Sequence, residues 1–261
     1  MQLKELINIT NKLFYNDSPS YKVITSKQNE LLRIIRPSTD IKKIDYKVIN
    51  RYIDYLKQNN NAPKTINDKI SYLSKILNYA YNNGLIEHKP SFTYQKVIAK
   101  KDKFLDKNEK IQMLLWCRHN KQKDMQYIIL IGLYTGLRIN NILSLTPDNY
   151  KDNSLYIYDK KVNRYFVMPV SGKIKYIIAN LKGFNIDYNR CYYIFNQMKQ
   201  DLQLDNDITI HTLRHTFCSD LVNKDVSLPI IQTLANHKRL QTTLRYTHVN
   251  NQQLQHAINI L

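Results

Sequence analysis

Apolar residues recur at helical spacing through most of this chain, and only one short stretch alternates. That pattern restricts the fold to a mainly α architecture more firmly than any single residue could. In residues 65–82 the series Ile66, Ile70, Leu73, Ile76, Leu77, Ala80 marks one face of a helix, and Asn83-Gly84 supplies a C-terminal stop. Weaker versions of the pattern precede it. Leu3, Ile7, Leu13 and Phe14 indicate a helix in residues 1–16. A second follows Pro19, with Asp17 or Ser18 as its cap, and buries Val23, Ile24, Leu31, Leu32, Ile34 and Ile35 before Arg36-Pro37 ends it. A third covers residues 41–56 through Ile44, Val48, Ile49, Tyr52, Ile53 and Leu56. Residues 1–92 therefore form a small helical domain.

Residues 93–103 lose this periodicity and carry Lys96, Lys100, Lys101 and Lys103, the features of a basic linker. It is either a solvated connector or a strap along phosphates, and the charge favours the strap. A second domain, 104–261, opens where Asp106 and Glu109 stand at capping-box spacing. Helices are expected to about residue 118, over 124–134, and again over 138–145 after an interruption at Thr135-Gly136. Residues 155–158 and 165–168 alternate and flank a turn at 161–163, so they are expected to pair as strands. Helices return over 173–181 and 191–202. The last segment, 251–261, places Leu254, Ala257, Ile258 and Leu261 on one face. The second domain is thus helical with a small sheet.

Lys+Arg 39 against Asp+Glu 21 gives a net charge of +18, which favours a polyanionic partner, nucleic acid above all. Coding bias toward Lys, Asn, Ile and Tyr explains part of this excess and most of the 20 tyrosines. Three cysteines without a C-x-x-C pair argue against a disulfide framework or zinc ribbon and fit a reducing cytoplasm. Met1-Gln2-Leu3-Lys4-Glu5 opens an amphipathic segment rather than a signal peptide, and the apolar run at 127–134 is too short to span a bilayer. A soluble, cytoplasmic protein without membrane contact is expected.

The chemistry is concentrated in residues 211–248, HTLRHTFCSDLVNKDVSLPIIQTLANHKRLQTTLRYTH. His211, Arg214 and His215 stand at i, i+3 and i, i+4 positions, while Leu213, Phe217 and Leu221 form the apolar stripe of the same helix. A further helix from about residue 242 would present Tyr246 to that cluster. A zinc site of the H-E-x-x-H kind is disfavoured, because Thr212 stands where glutamate is needed and no third ligand is evident.

The H-x-x-R-H group, His237, and Tyr246 nine positions later in a TTxxYTH context resemble the motifs of tyrosine recombinases, the family of phage integrases and Xer-type enzymes. Thr135-Gly136-Leu137-Arg138 resembles the family's first arginine box, and Lys161, eight residues before Pro169, its hairpin lysine; Lys160 competes for that position. The resemblance implies a SAM-like core-binding domain in 1–92, which clamps one side of a DNA duplex, and an α+β catalytic domain in 104–261. It implies six catalytic residues: Arg138, Lys161, His211, Arg214, His237 and Tyr246. His215 and Asn141 would support them, with no metal and no cofactor. Tyr246 would attack a phosphodiester, leaving a 3′-phosphotyrosyl bond that can be resealed without ATP. Arg138 and Arg214 would hold the nonbridging oxygens with planar, permanently charged forks. His211 and His237 would donate to the same oxygens or accept the tyrosine proton, and Lys161 would protonate the leaving 5′ oxygen.

Two positions depart from the family pattern. Asn141 replaces an acidic residue, and Asn236 replaces the glycine before the last histidine, where asparagine tolerates a left-handed backbone. The expected partner is double-stranded DNA, bound by a monomer that becomes a homotetramer on paired sites, with the tail at 251–261 buried on its own domain or, as the resemblance favours, on a neighbouring protomer. A type IB topoisomerase or telomere resolvase would use the same chemistry. A catalytically inactive DNA-binding relative would keep the residues without forming an adduct.

Overall fold

In the first unit, Met1–Lys100, four helices turn their apolar stripes toward one core: α1 (Leu3–Tyr15), α2 (Tyr21–Ile34), α3 (Tyr46–Gln58) and α4 (Pro63–Asn82). The structure, a computed structural model, describes residues 1–16, 21–98, 102–159, 164–244 and 246. The expected cap at Asp17 or Ser18 lies outside these residues, as do Lys100, Lys101, Lys161 and the tail at 251–261. Ile24, Leu31 and Ile35 are buried as their spacing implies, but Val23 is exposed. The helix expected over 41–56 is two elements. Asp40 caps a 3-10 turn, Ile41–Lys43, and Asp45 accepts from the Val48 N–H at 2.9 Å to start α3 afresh. Two aspartates five residues apart each compete for backbone donors, so a continuous helix is broken. The chain beyond α4 is pinned back on it, since the Asn67 side chain both donates to the Gln95 carbonyl and accepts from its N–H, at 2.8 and 2.7 Å.

The second unit, Lys101–Leu261, is built on α6 (Lys123–Thr135), whose Ile128, Ile129 and Ile131 are fully buried. The helix before it, α5 (Lys107–His119), starts from the expected capping box between Asp106 and Glu109. After α6 come the short α7 (Ile139–Leu143) and an antiparallel sheet in the order β1 (Tyr150–Lys151), β2 (Ser154–Asp159), β3 (Arg164–Pro169). The main pair aligns Leu155 with Met168 and Asp159 with Arg164. β1 carries too few residues to show any alternation and was not expected. Along β2 the inward positions are Leu155, Ile157 and Asp159, so the period-two rule sends an acidic residue to the buried face. The remaining helices are α8 (Gly172–Ala179), α9 (Tyr188–Asp201), α10 (Thr212–Val222), α11 (Leu228–Leu234) and α12 (Leu240–Leu244). α11 was not expected as a separate element; Ser227 precedes it and Pro229 sits in its first turn. Among the described residues no helix is long and apolar enough to cross a membrane.

The crossing of α6 and α10 positions everything that follows. Gly132 faces Leu213, and a Cβ there would lie 3.0 Å from the Leu213 side chain. Gly136 ends α6 in the left-handed region at φ 63°, and a Cβ on it would lie 2.3 Å from the Phe217 ring. Gly136→Ala therefore combines backbone strain with a collision and is expected to lower the stability of the second unit by about 3 kcal/mol. Gly84→Ala, at φ 69° but facing open space, is expected to cost the first unit about 1 kcal/mol. Urea unfolding followed by the fluorescence of Trp116 and by circular dichroism separates the two.

Candidate active site

Arg138 leaves the left-handed turn at Gly136 and stands at the N-cap of α7. One of its Nη atoms meets Asp159 Oδ2 at 2.5 Å, and the other is 3.5 Å from the Asn236 carbonyl. Arg214, on the α10 face turned to α6, is only 4% exposed. Its guanidinium donates to the carbonyl of Gly136 at 2.8 Å and to that of Ala235. These carbonyls end α6 and α11, where the helix dipoles leave partial negative charge. Burial, and then the nearby Arg138, lower the Arg214 pKa to about 10, so the group stays charged at neutral pH. The two arginines, 76 positions apart in sequence, thus converge because the glycine turn of α6 abuts α10.

Tyr246 is 8% exposed and lies near enough to Arg214 for the two charges to influence each other. Its hydroxyl lies 2.8 Å from Nδ1 of His215, and its ring lies parallel to that of His237, with centroids 6.3 Å apart. Burial above all, together with the Cys218 thiol, raises the phenol pKa, while Arg214 pulls it down. The hydroxyl is therefore held protonated. His237 follows Asn236, whose φ is 48°, and its Nδ1 lies 2.9 Å from the Thr243 hydroxyl. Burial, Arg214 and Arg138 drive its pKa down to about 3, so its imidazole is neutral at physiological pH. His211 stands exposed at the N-terminal boundary of α10, with its ring edge-on to His215 at 4.9 Å.

Of the residues expected from the sequence, Arg138, His211, Arg214, His215, His237 and Tyr246 come together. Asn141 is buried next to them, and its amide nitrogen has no hydrogen-bond partner among the described residues. Lys161 lies outside the described residues, between Asp159 and Arg164 in sequence. Lys96 is exposed, and Lys103 forms an ion pair with Asp205. Sequence reasoning missed Asp159, Arg164, Cys218, Thr243 and Asp102, whose carboxylate is 4.0 Å from His215 Nδ1. Only Asp159 left a readable signal, as an acid on the inward phase of a strand.

A profile described as the phage integrase family matches residues 170–253, and one described as a phage integrase SAM-like domain matches residues 4–111. The tyrosine recombinase XerC of Staphylococcus epidermidis is 28% identical over 250 residues, covering 84% of this chain and 82% of that protein. The chain belongs to the phage integrase family of tyrosine recombinases. This recombinase also shares the fold of solved relatives. The Tn1549 transposon integrase in complex with circular intermediate DNA superposes with a TM-score of 0.79 at 18% identity, over 99% of both chains. The lambda integrase tetramer bound to a Holliday junction gives 0.77 at 15% identity, over 95% of this chain and 78% of that one.

The neutral His237 has a measurable consequence. Its folded pKa of about 3 lies below the ordinary 6.5, so from 6.5 down to 3 the unfolded chain takes up a proton that the folded recombinase refuses. This contribution to stability is present above 6.5 and is lost as pH falls, by up to about 1.4 kcal/mol per pH unit. The expected result is an imidazole NMR signal with no midpoint between pH 5 and 8, and a shallower acid dependence of unfolding in His237→Gln.

Proposed function

We infer that this recombinase is a site-specific enzyme that cleaves and rejoins double-stranded DNA through a 3′-phosphotyrosyl intermediate. The observation that carries the reading is the buried meeting of the Tyr246 hydroxyl, the Arg138–Arg214 pair and two imidazoles. Tyr246 Oη attacks phosphorus, the bond to the 5′ oxygen breaks, and a tyrosyl phosphodiester replaces the original one. Its energy is retained, so attack by a 5′ hydroxyl on the same phosphorus restores DNA and frees the phenol. Both arginines hold the nonbridging oxygens, where charge grows in the five-coordinate transition state; a preorganised donor of this kind is worth about 3–4 kcal/mol. Arg214 is fixed by two backbone carbonyls and so needs little reorganisation as that charge develops. The neutral His237, or His211, donates to the same oxygens. His215, whose Nδ1 touches the hydroxyl, is the nearest acceptor for the phenolic proton. Lys161 supplies a proton to the departing 5′ oxygen.

Residues 1–92 act as the core-binding domain and 104–261 as the catalytic domain. Lys96, Lys100, Lys101 and Lys103 of the linker at 93–103 follow the phosphates, and for Lys103 a phosphate takes the place of Asp205. The protein is a monomer when free and a homotetramer on paired sites, an assembly supported by the tetramer of its structural relative lambda integrase.

The test uses a duplex recovered from a random-sequence pool as its covalent adduct with the wild-type chain. Tyr246→Phe is expected to retain that duplex and form no adduct, because only the phenolic oxygen is lost. Arg214→Ala should slow adduct formation at least a hundredfold. A 5′-bridging phosphorothiolate, whose sulfur leaves without protonation, should restore cleavage to Lys161→Ala but not to Arg138→Ala. Normal adduct yield from Tyr246→Phe refutes the reading, and rescue of Lys160→Ala alone moves the proton donor by one residue.

A further inference from the structure

Asp159, at the inward end of β2, is only 1% exposed, and its Oδ2 receives both Arg138 Nη1 at 2.5 Å and the side-chain amide of Asn236 at 3.2 Å. The same Asn236 amide turns its oxygen to Arg164, accepting from Nε at 2.9 Å and also from Nη2. Its backbone carbonyl lies 3.5 Å from the second Nη of Arg138. Asn236 therefore joins four things: the end of β2, the start of β3, the guanidinium of Arg138, and the turn that presents His237.

We propose that Asp159 and Asn236 are positioning residues for the Arg138–Arg214 phosphate-binding pair. The proposal rests on the recombinase reading above. Two guanidiniums brought together repel each other until a phosphate arrives, and a buried carboxylate beside them offsets that repulsion. Asp159 is so placed, since it acts on Arg214 as well as on Arg138. Arg138 uses two of its five N–H groups on Asp159 and on the Asn236 carbonyl, which orients the rest of the fork. Position 141, three residues after Arg138, supplies no charge: it is an asparagine whose amide nitrogen is itself without a partner among the described residues. The carboxylate arrives from the strand instead.

The side chain at 236 is matched to this task. A neutral amide offers a donor to Asp159 from its nitrogen and an acceptor to Arg164 from its oxygen at the same time. An aspartate there would set a second negative charge against Asp159. A glycine would accommodate the φ of 48° with less strain but would leave both contacts unmade. The backbone favours glycine and the network requires an amide, so the asparagine marks where positioning outweighs local conformational ease. Asp159 and Arg164 also bracket residues 160–163, so the network fixes the two ends from which the Lys161 segment departs.

Asn236→Gly is the most informative variant because it relieves the backbone while removing the bridge. Its melting temperature should equal or exceed that of the wild type, and its affinity for the recovered duplex should stay within twofold. Single-turnover adduct formation should nevertheless fall about tenfold to a hundredfold, as expected when a reacting group is misplaced by a fraction of an ångström to an ångström. Asp159→Asn should fall at least as far, and the double variant no further than the slower single one, because both act through one network. A purely structural role would lower melting temperature and leave the rate per folded molecule unchanged. Nitrogen-15 spectra of the guanidinium groups without DNA give a readout independent of activity. Restricted rotation of the Arg138 fork should be seen in the wild type and lost in both variants. If the wild type forms no adduct, the recombinase reading fails and the spectra alone decide the positioning claim. An Asn236→Gly adduct rate within twofold of wild type, or an Arg138 fork equally restricted in all three proteins, overturns the proposal.

Discussion

The buried guanidinium of Arg214 sets the terms for the second unit. Removing such a charge from water costs several kcal/mol unless its donors are occupied. Here the carbonyls of Gly136 and Ala235 receive them, which welds the ends of α6 and α11 to the first turn of α10. That arrangement requires α10 to approach α6 closely, and the approach depends on Gly132 and Gly136 lacking side chains opposite Leu213 and Phe217. A left-handed turn, a helix crossing and a charged side chain are therefore one construction. Arg138 follows that turn and inherits its position from it.

The same burial sets the protonation of the neighbouring groups. The phenol of Tyr246 is pushed toward its neutral form by its surroundings, while the nearby Arg214 works in the opposite direction. His237 is kept neutral by desolvation first and then by the two arginines, so it offers a hydrogen bond without adding a third positive charge. In the proposed reaction, a phosphate held between the arginines would offset part of the positive charge that, after desolvation, disfavours a protonated His237. Such an arrangement suits a reversible transfer, because the covalent bond formed is as energy-rich as the one broken.

Much of this was legible in the sequence, for definable reasons. Long stripes such as that from Ile66 to Ala80 report directly on α4, since apolar spacing and burial are the same fact seen twice. The spacing of His211, Arg214 and His215 on α10 and the stop at Gly136 were equally readable. What escaped was short or relational. β1 has two residues and α11 seven, too few for a period to emerge. The break before α3 came from Asp40 and Asp45 competing for backbone donors within an apolar pattern that by itself implied one helix. Asp159 and Asn236 lie 77 positions apart, and neither residue alone reveals the other. At position 236 the sequence shows only an asparagine in place of glycine, whereas the fold has its side chain bridge two charged groups.

The proposed cleavage turns on one atom, the phenolic oxygen of Tyr246, out of the 20 tyrosines in the chain. The most direct measurement is to trap the covalent complex on the recovered duplex, digest protein and DNA, and locate the nucleotide-bearing residue by mass spectrometry. The expected result is a single modified peptide, with Tyr246 joined to a 3′ phosphate and a free 5′ hydroxyl on the other strand end. Modification at any other tyrosine, or linkage to a 5′ phosphate, would contradict it.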